Sequence, residues 1–176
     1  MSDVITRIED VGIVPVIVLD DPDLAAPLAD ALAGGGLPCA EVTFRTAHAA
    51  EALKVMARDP RLLVGAGTVL TIALVKFFPA EAIGGTKTLS AMAAPFPRLR
   101  FVPTGGISPD NLEGYLTLSS VAAVGGSWMA SAGLVSQRRW DDVSRLAAEA
   151  IAAVARCRPA TRVIPACSGY LGMDGL

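Results

Sequence analysis

Three short apolar runs open the chain: Val11-Gly-Ile-Val-Pro-Val-Ile-Val-Leu19, Cys39-Ala-Glu-Val-Thr-Phe44 and Leu62-Leu-Val-Gly-Ala-Gly67. Each is rich in residues that suit strands, and each stops at a loop signal. Helical segments separate them. The first spans about Pro22 to Ala33, with Asp20 or Asp21 as its cap and Gly34-Gly35-Gly36 as its stop. The second runs from about Ala47 to Arg58, with Thr46 as cap. This β-α-β-α-β rhythm predicts an α/β fold with parallel strands covered by helices.

The second half resumes the rhythm. Ala73 to Phe78 reads as a strand, Thr86 to Ala93 as a short helix and Arg100 to Thr104 as another strand. Ser108-Pro109 opens a helix, with serine as cap and proline at the first helical position. Val121 to Val124 is the last predicted strand. From Trp140 to Arg156, the residues Val143, Leu146, Ala147, Ala150, Ile151 and Val154 share one face of a helix. The tail after Pro159 has no clear period and is left unassigned.

About six strand–helix units are therefore readable in a single domain spanning 1–176. A closed (β/α)8 barrel needs eight, in usually at least ~200 residues. The strands on either side of Thr71 are separated by only a handful of residues, whereas a parallel crossover needs a dozen or more. Either a block is missing at a junction near 71–73, or the two strands are not simple neighbours in the sheet.

Composition narrows the function classes. Of 176 residues, 52% are hydrophobic and 18% charged, which excludes disorder. The net charge of -2 and the lack of a long basic run argue against nucleic acid as a partner. No apolar stretch is long enough to span a bilayer, and Met1-Ser2-Asp3-Val4 does not begin a secretory signal. Cys39, Cys157 and Cys167 have no metal-ligand spacing and read as reduced thiols of a cytoplasmic protein. His48 is the single histidine and reads as structural, so no histidine-rich metal site is expected.

Lys76 is the sharpest local feature, set in the apolar run Ala73-Leu-Val-Lys-Phe-Phe78. Strand alternation puts it on a face with Leu74 and Phe78. Burial there disfavours the charged amine and frees a neutral nucleophile for a carbonyl. The competing reading is an edge-strand lysine whose amine reaches water. In Glu41-Val-Thr-Phe-Arg45, alternation places Glu41, Thr43 and Arg45 together. A carboxylate can shuttle protons, and an arginine at a strand's carboxyl end can clamp a substrate carboxylate. The alternative is a Glu–Arg pair that satisfies itself.

Two glycine-rich turns, Thr104-Gly-Gly-Ile-Ser108 and Gly125-Gly-Ser127, each follow a predicted strand. They suit anion binding by backbone N–H groups, although either could be only a tight turn. Thr68, in Gly65-Ala-Gly-Thr68, could touch substrate or merely cap a helix. Trp128 and Trp140 read as packing residues.

Taken together and in order, five strings resemble the 2-keto-3-deoxy-6-phosphogluconate aldolase family, also called 4-hydroxy-2-oxoglutarate aldolases. They are Glu41-Val-Thr-Phe-Arg-Thr46, Val64-Gly-Ala-Gly-Thr-Val-Leu-Thr71, Val75-Lys-Phe-Phe-Pro-Ala-Glu81, Pro103-Thr-Gly-Gly-Ile-Ser108 and Val124-Gly-Gly-Ser-Trp128. The resemblance covers about Ile5 to Arg156. It implies a (β/α)8 TIM-barrel-like fold, a homotrimer and Schiff-base chemistry without a metal or other cofactor. It implies Lys76 as the imine-forming lysine and Glu41 as the general acid/base. Arg45 and Thr68 would bind the pyruvate end of a keto-acid sugar phosphate, and Gly105, Gly106 and Ser127 its phosphate. The departure from the family is the middle, where most of the third helix, two strands and their helices are expected and not found. A non-catalytic barrel remnant, binding a sugar phosphate or serving as an oligomer subunit, is the alternative. A different phosphate-binding barrel enzyme would explain the glycine turns but would not need the Lys-Phe-Phe-Pro string.

Overall fold

In β1 (Ile13–Ile17), Ile13, Pro15 and Ile17 are buried while Val14 and Val16 are half-buried, so this strand is covered on both faces. It lies at the centre of the sheet, as such a run requires. The computed structural model describes residues 2–43, 45–66, 74–97 and 99–158. Thr68, Cys167, the expected junction at 71–73 and the tail from 159 lie outside the described residues.

The other strands are β2 (Cys39–Val42), β3 (Leu63–Ala66), β4 (Leu74–Phe77), β5 (Arg100–Pro103) and β6 (Val124–Gly126). All pairings are parallel. β1 pairs with β2 through Val16↔Glu41 and with β6 through Ile13↔Val124; β2 pairs with β3 through Cys39↔Leu63. β4 pairs with β5 through Lys76↔Val102. Single bridges, Phe101↔Val121 and Thr104↔Gly125, carry β5 onto β6. The spatial order is therefore β4-β5-β6-β1-β2-β3. Among the described residues nothing pairs β3 with β4, so these two strands are the open edges of a six-stranded, barrel-like sheet.

Helices cover the outside: α1 (Ser2–Val11), α2 (Ala25–Gly34), α3 (Ala49–Met56), α4 (Gly85–Ala93), α5 (Leu112–Leu116), α6 (Ala132–Ser136) and α7 (Trp140–Cys157). α7 buries Val143, Ala147, Ala150, Ala153 and Val154, with Leu146 and Ile151 half-buried beside them. Its small residues allow it to lie close to α2, and Ser144 Oγ donates to the Ala31 carbonyl at 2.6 Å. The interior is filled by Ile13, Ile17, Leu28, Leu32, Leu37, Val42, Met56 and Leu112. Each such side chain stabilises the fold by about 1.5–3 kcal/mol relative to exposure. No helix is long and apolar enough to cross a membrane among the described residues.

Several boundaries differ from the sequence reading, each for a local reason. The last strand is Val124–Gly126 rather than Val121–Val124, because Gly125 and Gly126 pair with Val14 and Pro15. Those glycines are strand, not turn. The Thr104 side chain packs against Gly125, where a β-carbon would meet its Oγ1 at 2.3 Å. The helix expected from Pro109 begins at Leu112, because Asn111 Oδ1 accepts from the Ser108 N–H at 2.9 Å and holds 108–111 as a turn. Thr46 does not cap the second helix: its hydroxyl donates to the Leu19 carbonyl, and exposed His48 occupies the cap position before Ala49. Asp21 is the cap of the first helical segment, accepting from Asp23 N–H at 3.0 Å. α1, α6 and the short 3-10 turn Trp128–Ala130 were not expected from the sequence.

Candidate active site

Glu41 and Lys76 are each the penultimate residue of their strand, so both side chains emerge near the carboxyl ends of β2 and β4. These strands are not neighbours in the sheet. Their side chains nevertheless meet: Lys76 Nζ donates to Glu41 Oε1 in a direct ion pair across the mouth of the curved sheet. The lysine side chain is 25% exposed and the carboxylate 18%. The lysine is therefore neither sealed in an apolar pocket nor simply extended into water, the two readings its sequence left open; a carboxylate faces it. Removing one partner of such a partly buried pair leaves the other without compensation.

The Glu41–Arg45 pair that could have silenced this row does not form, since Glu41 takes Lys76 instead. Thr43 is buried, and both its N–H and its hydroxyl donate to the Ile17 carbonyl, at 2.9 and 3.0 Å. It ties β2 to β1 and is structural. The alternation assumed to carry Arg45 onto the Glu41 face stops with the strand at Val42. Arg45 sits exposed in the following turn, its N–H donating to Thr43 O at 2.9 Å. The described contacts do not bring its guanidinium to the Lys76–Glu41 pair.

Gly105 and Gly106 follow β5 with φ of +93° and +78°, a region that favours glycine. A β-carbon at Gly105 would come within 3.0 Å of the Phe78 ring, and one at Gly106 within 2.6 Å of Glu81 Cγ. The turn is thus packed under the segment that leaves β4. Ala80 N–H donates to Thr104 O at 2.8 Å and Glu81 N–H to Gly105 O at 3.1 Å. The carbonyl of Gly106 accepts from Asn111 Nδ2 at 2.9 Å. The carbonyls are thereby occupied, while the N–H groups of Gly105 and Gly106 have no partner among the described residues. Such a pair of free amides is suited to an anion. Ser127 is exposed at the end of β6, the strand next to β5, so it shares a rim with the glycine turn.

Three residues near these groups were given no functional role by sequence reading. Glu81 lies in a quoted string but had no assigned role. Tyr115, on α5, donates its hydroxyl to Glu81 Oε1. Phe78 is 52% exposed beside Gly105. Only the tertiary fold brings residues 81, 105 and 115 together, and no local spacing could have announced it.

Comparison with known proteins identifies the family. The model of the "KDPG and KHG aldolase" family matches residues 4–75 and 71–146. The 2-dehydro-3-deoxy-phosphogluconate aldolase of Haemophilus influenzae is 34% identical over 201 residues, covering 84% of this chain and 95% of the relative. Because 84% of the 176-residue chain is about 148 residues, about 53 of those 201 positions have no counterpart here. The KHG/KDPG aldolase of Escherichia coli is 37% identical over 192 residues, covering 79% of this chain and 90% of the relative. Among solved structures, the 2-keto-3-deoxy-6-phosphogluconate aldolase of Zymomonas mobilis ZM4 with 3-phosphoglycerate superposes with a TM-score of 0.77 at 34% identity, covering 86% of this chain and 96% of that one. The KDPG aldolase of Legionella pneumophila, with pyruvate captured as a covalent carbinolamine intermediate, gives 0.76 at 30% identity, covering 82% and 96%. Matched by the family model over most of its length, and 34–37% identical to curated relatives over about four-fifths of it, the chain belongs to the KDPG and KHG aldolase family.

Proposed function

We propose that this protein is a class I aldolase that cleaves 2-keto-3-deoxy-6-phosphogluconate to pyruvate and glyceraldehyde 3-phosphate through a Schiff base on Lys76. The observation that carries this reading is the Lys76–Glu41 pair at the carboxyl ends of two strands of a barrel-like sheet. A proton moved from the ammonium to the carboxylate along that hydrogen bond leaves a neutral amine beside a carboxylic acid. The amine adds to the keto carbon; the acid returns its proton to the departing hydroxyl, and loss of water gives the iminium. The regenerated carboxylate then takes the proton of the C4 hydroxyl. The C3–C4 bond breaks, its electron pair flows into the iminium, and glyceraldehyde 3-phosphate leaves. Protonation of the enamine at C3 and hydrolysis of the imine release pyruvate and restore the lysine.

Arg45 and Thr68 hold the substrate carboxylate in this scheme, with Arg45 reaching in from its exposed turn. The N–H groups of Gly105 and Gly106 and the Ser127 hydroxyl hold the phosphate. The protein works in the cytoplasm as a homotrimer and needs no cofactor. The chain is one barrel-type domain from which a block between β3 and β4 is missing. The open edges of those strands and the unmatched positions of the aligned relatives support that deletion.

The same open edges favour a second reading, a remnant that keeps the phosphate rim but does not turn over. Incubation with pyruvate and borohydride separates the two. The aldolase reading expects a reduced pyruvate adduct on Lys76, seen by intact mass and peptide mapping, and its loss in Lys76→Ala. A folded protein of the expected mass that gains no adduct would leave the remnant.

A further inference from the structure

We propose that Tyr115 and Glu81 form a positioning pair that fixes the Gly105–Gly106 turn at a set distance from Lys76, and so selects keto acids that carry a phosphate at the far end. The proposal rests on the reading of that turn as the phosphate-binding element.

Lys76 and the turn belong to adjacent strands. The register Lys76↔Val102 and Phe77↔Pro103 brings β4 and β5 to their carboxyl ends together. Beyond the Thr104↔Gly125 bridge the sheet no longer holds the chain, yet the glycines at 105 and 106 have the widest backbone freedom of any residue. Something else must hold them if their amides are to meet an anion in one geometry.

Glu81 is that holder. Its N–H donates to the Gly105 carbonyl, and its Cβ and Cγ lie against Gly106, 2.7 and 2.6 Å from where a β-carbon would stand. Its carboxylate is drawn the other way, onto the Tyr115 hydroxyl. Tyr115 is 1% exposed and set in α5, so it is a rigid anchor. Asn111, one turn earlier, grips the Gly106 carbonyl from α5's side. The turn is thus clamped between the segment that leaves Lys76 and the helix that follows the turn. Glu81 also sits beside Gly85, where a β-carbon would meet Tyr115 Oη at 3.3 Å and Glu81 Oε1 at 3.4 Å. Both ends of the 81–85 segment therefore lie against that one hydroxyl. Neither Tyr115 nor Glu81 touches the Lys76–Glu41 pair in the described contacts, so both act through the turn rather than on reacting atoms.

The test compares wild type, Tyr115→Phe, Glu81→Ala, the double variant Tyr115→Phe with Glu81→Ala, and Glu81→Gln, each of full length. The first readout is titration with sn-glycerol 3-phosphate, followed by the amide resonances of Gly105 and Gly106. The second is trapping of the pyruvate imine with borohydride. Wild type is expected to shift both amides. Tyr115→Phe and Glu81→Ala are expected to bind about tenfold more weakly, the size of one lost hydrogen bond, and the double change to add little more. Glu81→Gln keeps an acceptor for the tyrosine and is expected to bind as wild type does. Pyruvate trapping is expected to stay within twofold in every variant, with the loss in turnover of the phosphorylated substrate falling on KM rather than kcat. Wild-type amides that do not move, or equal affinity in Tyr115→Phe, would overturn the pair. So would a loss of pyruvate trapping parallel to the loss of phosphate affinity, which is the mark of general loosening. Tyrosine-dependent binding in a wild type that traps no pyruvate would remove the aldolase reading and leave the pair standing.

Discussion

Tyr115 holds its phenol inside the core, and burial, reinforced by the carboxylate of Glu81 that accepts its proton, pushes its ionisation above the ordinary value of 10.0. A group whose folded pKa is raised lends stability below its unfolded pKa and withdraws it as pH climbs past that value. Unfolding free energy should therefore fall with pH above about 10, and fall less steeply in Tyr115→Phe. Urea denaturation at a series of alkaline pH values measures the difference between the two slopes. Equal slopes would show that the hydroxyl is no better placed in the fold than in water. Lys76 and Glu41 show what a single residue's neighbours in sequence leave unsaid. The lysine's apolar run marked it as unusual, and the acid was visible in its own strand. Their pairing was not visible, because residues 35 apart meet only when two non-adjacent strands curve round one mouth. Glu41→Gln should keep the fold and lower turnover by at least about a hundredfold, the usual scale for a lost general acid/base. Steady-state rates with the phosphorylated keto acid check it.

At the scale of the element, the end of α7 has a partner set that its sequence does not advertise. Arg158 follows the helix, and its guanidinium donates to the carbonyls of Leu116, Ala122 and Val121 at 2.8–2.9 Å. These carbonyls lie on the approach from α5 to β6. Arg100, salt-bridged to Glu9 at 3.0 Å, also donates to Val121 O. Desolvation and the nearby Arg100 lower the pKa of Arg158, yet it bridges α7, α5 and the segment that leads into β6. Arg158→Ala should cost about 2 kcal/mol, the scale of charge-assisted bonds whose buried acceptors are left unmet. A lower urea midpoint with an unchanged slope would register that cost. The strands and the long helix were legible because period-2 and period-3.6 patterns act locally, and α7 begins at Trp140 as its apolar face indicates. The errors fall where a side chain from elsewhere decides the outcome. Asn111 delays α5, Leu19 captures Thr46, and Thr104 packs on Gly125 so that a glycine pair becomes strand. α1 had an amphipathic spacing in Val4, Ile5, Ile8 and Val11 that could have been read, but its charged residues hid it.

Across the whole molecule, protection should follow the sheet order. β1 has partners on both sides, whereas β3 and β4 have one each among the described residues. Hydrogen exchange is expected to be slowest at β1 and at least about tenfold faster on β3 and β4, which have no outer partner among the described residues. The segment that follows β4 carries exposed apolar surface: Phe78, Ile83, Met92 and Phe96 are each more than 40% exposed, and α4 buries only Leu89. Open strand edges beside apolar surface promote association. The weight-average mass in sedimentation should rise with concentration, and Met92→Glu with Phe96→Glu should suppress the rise without lowering the thermal midpoint by more than a few degrees.

The position of the open edges also bears on how fast the chain can find its fold. Running through space, the strands read β4-β5-β6-β1-β2-β3, whereas translation delivers β1 first and leaves its partner β6 more than a hundred residues away. The first strand must wait for the last. A circular permutant that begins at Leu74, joins the end of α7 to α1, and finishes at Ala66 would make every strand pairing one between neighbours along the chain. Its contact order would be lower, and it should refold faster than the natural order at equal stability.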